Sequence, residues 1–167
     1  MKTHDAITRV PRAGAIKRRE LLSGLAAGAA LAVLPAKAKT ALPPVQVFKS
    51  PTCECCGAWV DHLRATGFPV SVTEVGDTTA ARKRHGLPER FGSCHTGIVG
   101  GYVIEGHVPA TEVIKLLAAR PAAIGLAVPG MPVGSPGMEV GDRRDPYDVL
   151  LIDRSGRATV FAQYPKR

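Results

Sequence analysis

Four cysteines stand in two packets, Cys53-Glu54-Cys55-Cys56 and Cys94-His95, and the sequence has no others. Thiolates are soft donors that favour Cu(I) and can bridge two ions, so a crowded set of them suits a soft metal. Cys53 and Cys56 have the C-x-x-C spacing of a dithiol that can close to a disulfide. Cys55 lies between them and is a thiol that simple disulfide exchange does not need. Zinc is the competing metal, because four cysteines can make a closed tetrahedral site. Zinc sites usually pair two C-x-x-C knuckles, however, and the adjacent Cys55 and Cys56 cannot both reach one ion without strain. Copper is therefore the expected metal, held as Cu(I), with four bridging thiolates suiting several ions.

Further donors stand close by in sequence. His95 abuts Cys94 and can coordinate or hydrogen-bond to a thiolate. His107, in Glu105-Gly106-His107, can orient or ligate just ahead of a helix. Pro129-Gly130-Met131 recurs seven residues later as Pro136-Gly137-Met138 inside a Gly/Pro loop. Thioethers suit Cu(I), so this loop reads either as a copper-binding lip or as two methionines filling gaps over the core. The candidate metal ligands are thus Cys53, Cys55, Cys56, Cys94, His95, His107, Met131 and Met138. If the site is redox-active, Cys53 and Cys56 are the reacting pair. His62 and His85 read as structural or solvated, and Trp59 as packing behind the thiol loop.

The elements that must position these groups follow from hydrophobic pattern and breakers. Val45 to Lys49 is apolar enough for a buried strand, broken by Ser50-Pro51-Thr52 ahead of the cysteines. A first helix follows, with Trp59, Val60 and Leu63 on its apolar face and Gly67 at its close, and its dipole favours thiolates at the N-terminus. Phe68 to Val75 reads as a second strand, and Asp77 caps a short helix running through Arg84 and His85. Thr96 to Val99 and Tyr102 to Glu105 form a hairpin about Gly100-Gly101. Another helix starts near Pro109 or Thr111 and stops at Arg120-Pro121, and a closing hairpin spans 148–153 and 157–164 around Ser155-Gly156.

That order is the order of the thioredoxin and glutaredoxin fold, whose active dithiol falls where Cys53 to Cys56 falls. The fold class expected is α/β, a thioredoxin/glutaredoxin-like mixed sheet flanked by helices, extended by the Gly/Pro/Met loop and a C-terminal β-hairpin. In redox members of that fold the loop entering the third strand carries a cis proline. Here that stretch, Gly92 to Gly97, has no proline, which argues against an ordinary disulfide reductase and places Cys94 or His95 opposite the other thiols.

The N-terminus bears on compartment. Lys17-Arg18-Arg19 precedes an apolar run from Leu21 to Leu34 and then Ala36-Lys37-Ala38, the pattern of a twin-arginine export signal with an A-x-A cleavage site. The run falls short of the roughly 20 residues that span a bilayer, so no permanent membrane anchor is expected. Residues 1–38 are read as a cleaved signal and 39–167 as a single thioredoxin-like metal-binding domain in the periplasm. The signal carries much of the +8 formal charge, and 39–167 holds 15 basic against 12 acidic residues, a net of +3. With few aromatics and no basic-aromatic interleaving, nucleic acid is not an expected partner. Arg82-Lys83-Arg84 reads as a solvated helix end.

Longer motifs carry a family resemblance. Cys-x-Cys-Cys-Gly-x-Trp from Cys53, Ser93-Cys94-His95-Thr96, Glu105-Gly106-His107-Val108-Pro109, the segments 125–132 and 134–139, and Pro146-Tyr147-Asp148-Val149-Leu150 together resemble the CopG-type copper-resistance proteins, formerly a domain of unknown function. The resemblance runs from about Val45 to Tyr164. It implies a periplasmic thioredoxin-like protein that binds copper through its cysteines. Two classes of function stay open. One is a copper-binding protein of resistance and homeostasis that sequesters Cu(I) or passes it to periplasmic copper carriers or efflux components. The other is an enzyme, either a thiol-disulfide oxidoreductase without a permanent metal or a copper oxidoreductase cycling Cu(I) and Cu(II).

Overall fold

The computed structural model describes residues 41–165. The expected export signal, 1–38, lies outside them. Among the described residues, no helix is long and apolar enough to cross a membrane. Seven strands form one mixed sheet in the order β2-β1-β3-β4-β5-β6-β7. They are β1 Val45–Lys49, β2 Val70–Glu74, β3 His95–Val99, β4 Tyr102–Glu105, β5 Ala123–Ala127, β6 Tyr147–Asp153 and β7 Ala158–Tyr164. The helices are α1 Glu54–Ala65, α2 Thr79–Arg84 and α3 Ala110–Ala119, with a 3₁₀ turn at Glu89–Phe91.

The first four strands have the expected arrangement. β1 pairs parallel with β2 through the crossover helix α1, and β3 pairs antiparallel with both β1 and β4. This is a thioredoxin-like core. The sheet continues without a break into β5, β6 and β7, so the closing hairpin is part of the same sheet. β5 and the 3₁₀ turn were not legible in the sequence. Ala123-Ile124-Gly125-Leu126-Ala127 is short, carries no strong alternation, and is a strand only because β4 and β6 supply hydrogen bonds on both sides.

α1 forms because Cys56, Trp59, Val60 and Leu63 recur at three- and four-residue spacing and are all buried. Each such side chain contributes about 1.5–3 kcal/mol when fully removed from water. Trp59, Val60 and Leu63 pack with Val113 and Leu116 of α3 on β1, β3 and β4 to make the main core. A second cluster joins Leu87 and Phe91, before and in the 3₁₀ turn, to Val103, Ala127 and Ile152 of the strands. Gly97 leaves room for the indole of Trp59, since a Cβ there would lie 3.2 Å from its Cη2.

Register decides where the thiols meet. Lys49 at the end of β1 pairs with His95 at the start of β3. Thr96 pairs with Glu105 at the end of β4, and Glu105 pairs with Ala127 at the end of β5. Four connections therefore converge at one end of the strands β1, β3, β4 and β5: the β1–α1 loop, the entry to β3, the exit from β4 and the exit from β5. These carry Cys53 to Cys56, Cys94, His107 and the Gly/Pro/Met loop respectively.

Candidate metal centre

Cys53 sits at the N-cap of α1, and Cys55 and Cys56 lie in its first turn. Cys53 and Cys56 are joined as a disulfide with their Cα atoms 5.3 Å apart, while Cys55 and Cys94 are free. The four sulfurs all lie within 4.8 Å of one another. Cys55 Sγ is 3.5 Å from Cys53 Sγ, and Cys56 Sγ is 3.7 Å from the carbonyl oxygen of Cys94. A thiol 38 residues away in sequence thus completes a compact group with the first three. Burial, and next the nearby Cys55, push the Cys94 thiol up to about 11. Any cation bound there must displace its proton.

Two histidines face Cys94 from the other side. Its sulfur is 3.4 Å from His95 Nδ1 and 3.3 Å from His107 Nε2. His107 Nδ1 lies 2.9 Å from the carbonyl oxygen of Pro136, which can only accept, so Nδ1 carries the proton and Nε2 turns its lone pair toward Cys94. Such a carbonyl–histidine pairing is what orients a metal-ligating imidazole. His95 is completely buried, lies tilted against Trp59 with ring centres 4.3 Å apart, and has no hydrogen-bond partner for Nε2. Burial, reinforced by His107, drives its pKa down to about 3 against a smaller upward pull from the Gly106 backbone. Burial also lowers the pKa of His107. Both rings are neutral donors at ordinary pH.

The loop after β5 is clamped over this group by its backbone. Ser93 Oγ donates to the Gly130 carbonyl at 2.7 Å, and His107 holds Pro136. Gly137 has a φ of +85° and lies against α1, where a Cβ would come 2.7 Å from the Cys55 carbonyl oxygen and 2.8 Å from Trp59 N. Glycine is needed there for both reasons. The structure brings Cys53, Cys55, Cys56, Cys94, His95 and His107 together. Met138 ends the same loop half-buried, whereas Met131 is 53% exposed at its other end.

Two supporting residues escaped the sequence reading. Glu105 is fully buried and accepts hydrogen bonds from Ser93 N at 2.6 Å, Thr96 Oγ1 at 2.7 Å and Arg82 Nη1 at 3.1 Å. It holds the turn immediately before Cys94. Burial raises its pKa to about 7 against the pull of those partners. Arg82 was read as part of a solvated helix end, but it is buried and paired with Glu105, and only Lys83 and Arg84 are exposed. An acidic residue closing the apolar strand Tyr102-Val103-Ile104 was the available signal, because a carboxylate buried there requires a cation or several donors. His62 is structural as expected: its Nε2 accepts the Ala110 N–H at the start of α3. Trp59 packs behind the thiols and donates to the Val108 carbonyl at 2.8 Å.

A family model described as a protein of unknown function, DUF411, matches residues 91–138, which include Cys94, His95, His107 and the Gly/Pro/Met loop. Two solved structures of the copper resistance protein CopG, Form 2 and Form 1, are each 48% identical to this chain with a TM-score of 0.71. The alignments cover 99% of each CopG chain and 74% and 75% of this one. No curated protein sequence matches the chain.

Proposed function

Because the chain belongs to the family of the copper resistance protein CopG, we propose that it is a copper-binding protein of copper resistance that holds Cu(I) on Cys53, Cys55, Cys56 and Cys94. The observation that carries this reading is the convergence of four sulfurs within 4.8 Å, two of them dispensable to dithiol exchange. Soft thiolates at that spacing can each bridge two Cu(I) ions, which suits a multinuclear cluster. Copper is the cargo here. Loading all four sulfurs requires the Cys53–Cys56 bond to be reduced, which takes two electrons and two protons and yields two thiols. His95 and His107 would complete the ligand set on the Cys94 side, and Met131 and Met138 would offer thioethers from the loop above.

Export fits this role. We propose that residues 1–38 are a twin-arginine signal, that 39–167 is the periplasmic domain, and that periplasmic carriers or efflux components receive the copper. Thiol-disulfide exchange is the second reading, favoured by one observation, the disulfide across Cys53 and Cys56.

Anaerobic reconstitution of the reduced protein with Cu(I), read by metal analysis and sulfur-edge absorption, tests the assignment. With bridging ligands, Cys55→Ser and Cys94→Ser lower copper stoichiometry about as severely as Cys53→Ser and Cys56→Ser. A pure C-x-x-C reductase gives the opposite result, losing thiol turnover only with Cys53 or Cys56.

A further inference from the structure

Helix α1 grips the segment that leads into α3 at two points. Trp59 Nε1 donates to the Val108 carbonyl at 2.8 Å, and His62, one turn further along α1, takes the Ala110 N–H on Nε2 at 3.0 Å. The first N–H groups of a helix have no partner within it. Pro109 stands at the N-cap of α3 and offers no side-chain hydrogen bond, so the imidazole of His62 does from 48 residues away what a capping side chain does locally. An imidazole nitrogen accepts only while it carries no proton. We infer that His62 is an acid-released latch: with Nε2 bare it ties the start of α3 to α1, and a proton taken up from solvent at Nε2 opens that tie. The latch does not depend on the copper assignment.

The surroundings of His62 suit that role. Its ring is half-buried, so a proton can reach it, whereas the Trp59 bond is buried and does not titrate. Acid therefore opens one grip and leaves the other. A proton on Nε2 would set N–H against N–H at the positive end of the α3 dipole, which turns an attractive contact into a repulsive one. Glu139, exposed in the loop after β5, offers the imidazolium an opposite charge, and its carboxylate accepts the Gly137 N–H at 2.9 Å where that loop lies against α1. The other charged groups of the packed elements are committed to one another: Asp61 pairs with Arg64 on α1 at 3.2 Å, and Glu112 in the first turn of α3 is held by Lys115 at 3.0 Å and Tyr164 at 2.8 Å. Burial, against a smaller pull from Glu139, keeps the His62 pKa below 6.5. The latch thus contributes fully above pH 6.5, and its contribution is lost as pH falls through the folded value.

The test is a pH titration by heteronuclear NMR of the full-length, copper-free chain with Cys53 and Cys56 joined, following the His62 ring and the Ala110 amide together. The Ala110 amide proton should move upfield with the midpoint of the His62 ring, below pH 6.5. After correction for the intrinsic rate, its protection from exchange should fall about three- to tenfold across that midpoint, the worth of one hydrogen bond. His62→Gln sets a carboxamide oxygen near the Nε2 position, which accepts the same N–H and does not titrate, and it leaves His85, His95 and His107 in place. In that variant the Ala110 response should vanish. An Ala110 amide that stays still while His62 titrates in the unmutated chain would overturn the latch, and that outcome needs no variant to fold. An Ala110 response that survives in His62→Gln would also overturn it, because another group would then be driving the change.

Discussion

Replacing Arg82 by methionine isolates the support beneath Cys94. Methionine keeps an unbranched stem in the buried position and removes the cation that faces Glu105 at 3.1 Å. Glu105 is held up at about 7 by burial, above its unfolded value of 4.5. A carboxyl whose folded pKa is raised adds stability that is complete below pH 4.5 and is lost as pH climbs through about 7. Hydrogen bonds to charged groups contribute about 1.5–3 kcal/mol, equivalent to about one to two pKa units. Without Arg82 the carboxyl should therefore keep its proton to about pH 8–9, and the loss should extend to higher pH. At pH 6 both proteins hold Glu105 largely neutral, and the substitution should cost under about 1 kcal/mol, the worth of one neutral contact. At pH 8.5 the native carboxylate is ionised beside its partner while the variant's is not. The gap should then widen by about 1.5–2 kcal/mol. Urea unfolding of the copper-free chain, with the disulfide intact, measures both differences at constant m. A penalty equal at pH 6 and pH 8.5 to within about 0.5 kcal/mol would refute the claim that Arg82 acts on a titrating Glu105.

Gly137→Ala should destabilise the protein by at least about 1 kcal/mol, because φ is +85° and the new Cβ would press on the backbone of α1. Chemical denaturation checks this, and a variant as stable as the native protein would mean the loop is not seated on α1. Met131→Leu and Met138→Leu keep approximate size and remove the soft donor. If the loop is a copper lip, Cu(I) affinity measured by chelator competition falls in at least one of them, and unchanged affinity and transfer rate in both makes the loop structural. Arg18→Lys together with Arg19→Lys should stop a tagged protein from reaching the periplasm, and export at the normal rate would remove the twin-arginine assignment.

Much of the architecture was legible because its signals are local. The Trp59–Val60–Leu63 stripe, the breaks at Ser50-Pro51-Thr52 and Arg120-Pro121, and the Gly100-Gly101 turn depend on residues within one or two turns of each other, and α1, α3 and the β3–β4 hairpin lie where those signals put them. β5 was missed because its stability comes from neighbouring strands. Arg82 was misread because a basic run at a helix end is ordinarily solvated, and only tertiary packing sets Glu105 against it.

The same division runs through the candidate site. The sequence by itself determined which atoms are on offer: soft thiols in two packets, two imidazoles and a Gly/Pro/Met loop. It also indicated, through element order, that Cys94 approaches the first three cysteines. Tertiary structure decided the rest. Pairing Lys49 with His95, Thr96 with Glu105 and Glu105 with Ala127 draws four connections to one end of the central strands. Burial then makes His95 and His107 neutral donors, and the Pro136 carbonyl selects which nitrogen of His107 faces Cys94. Such properties depend on strand register, on exclusion of water and on a carbonyl 29 residues away. No local run of residues encodes them, because each arises only when distant segments exclude solvent from one another.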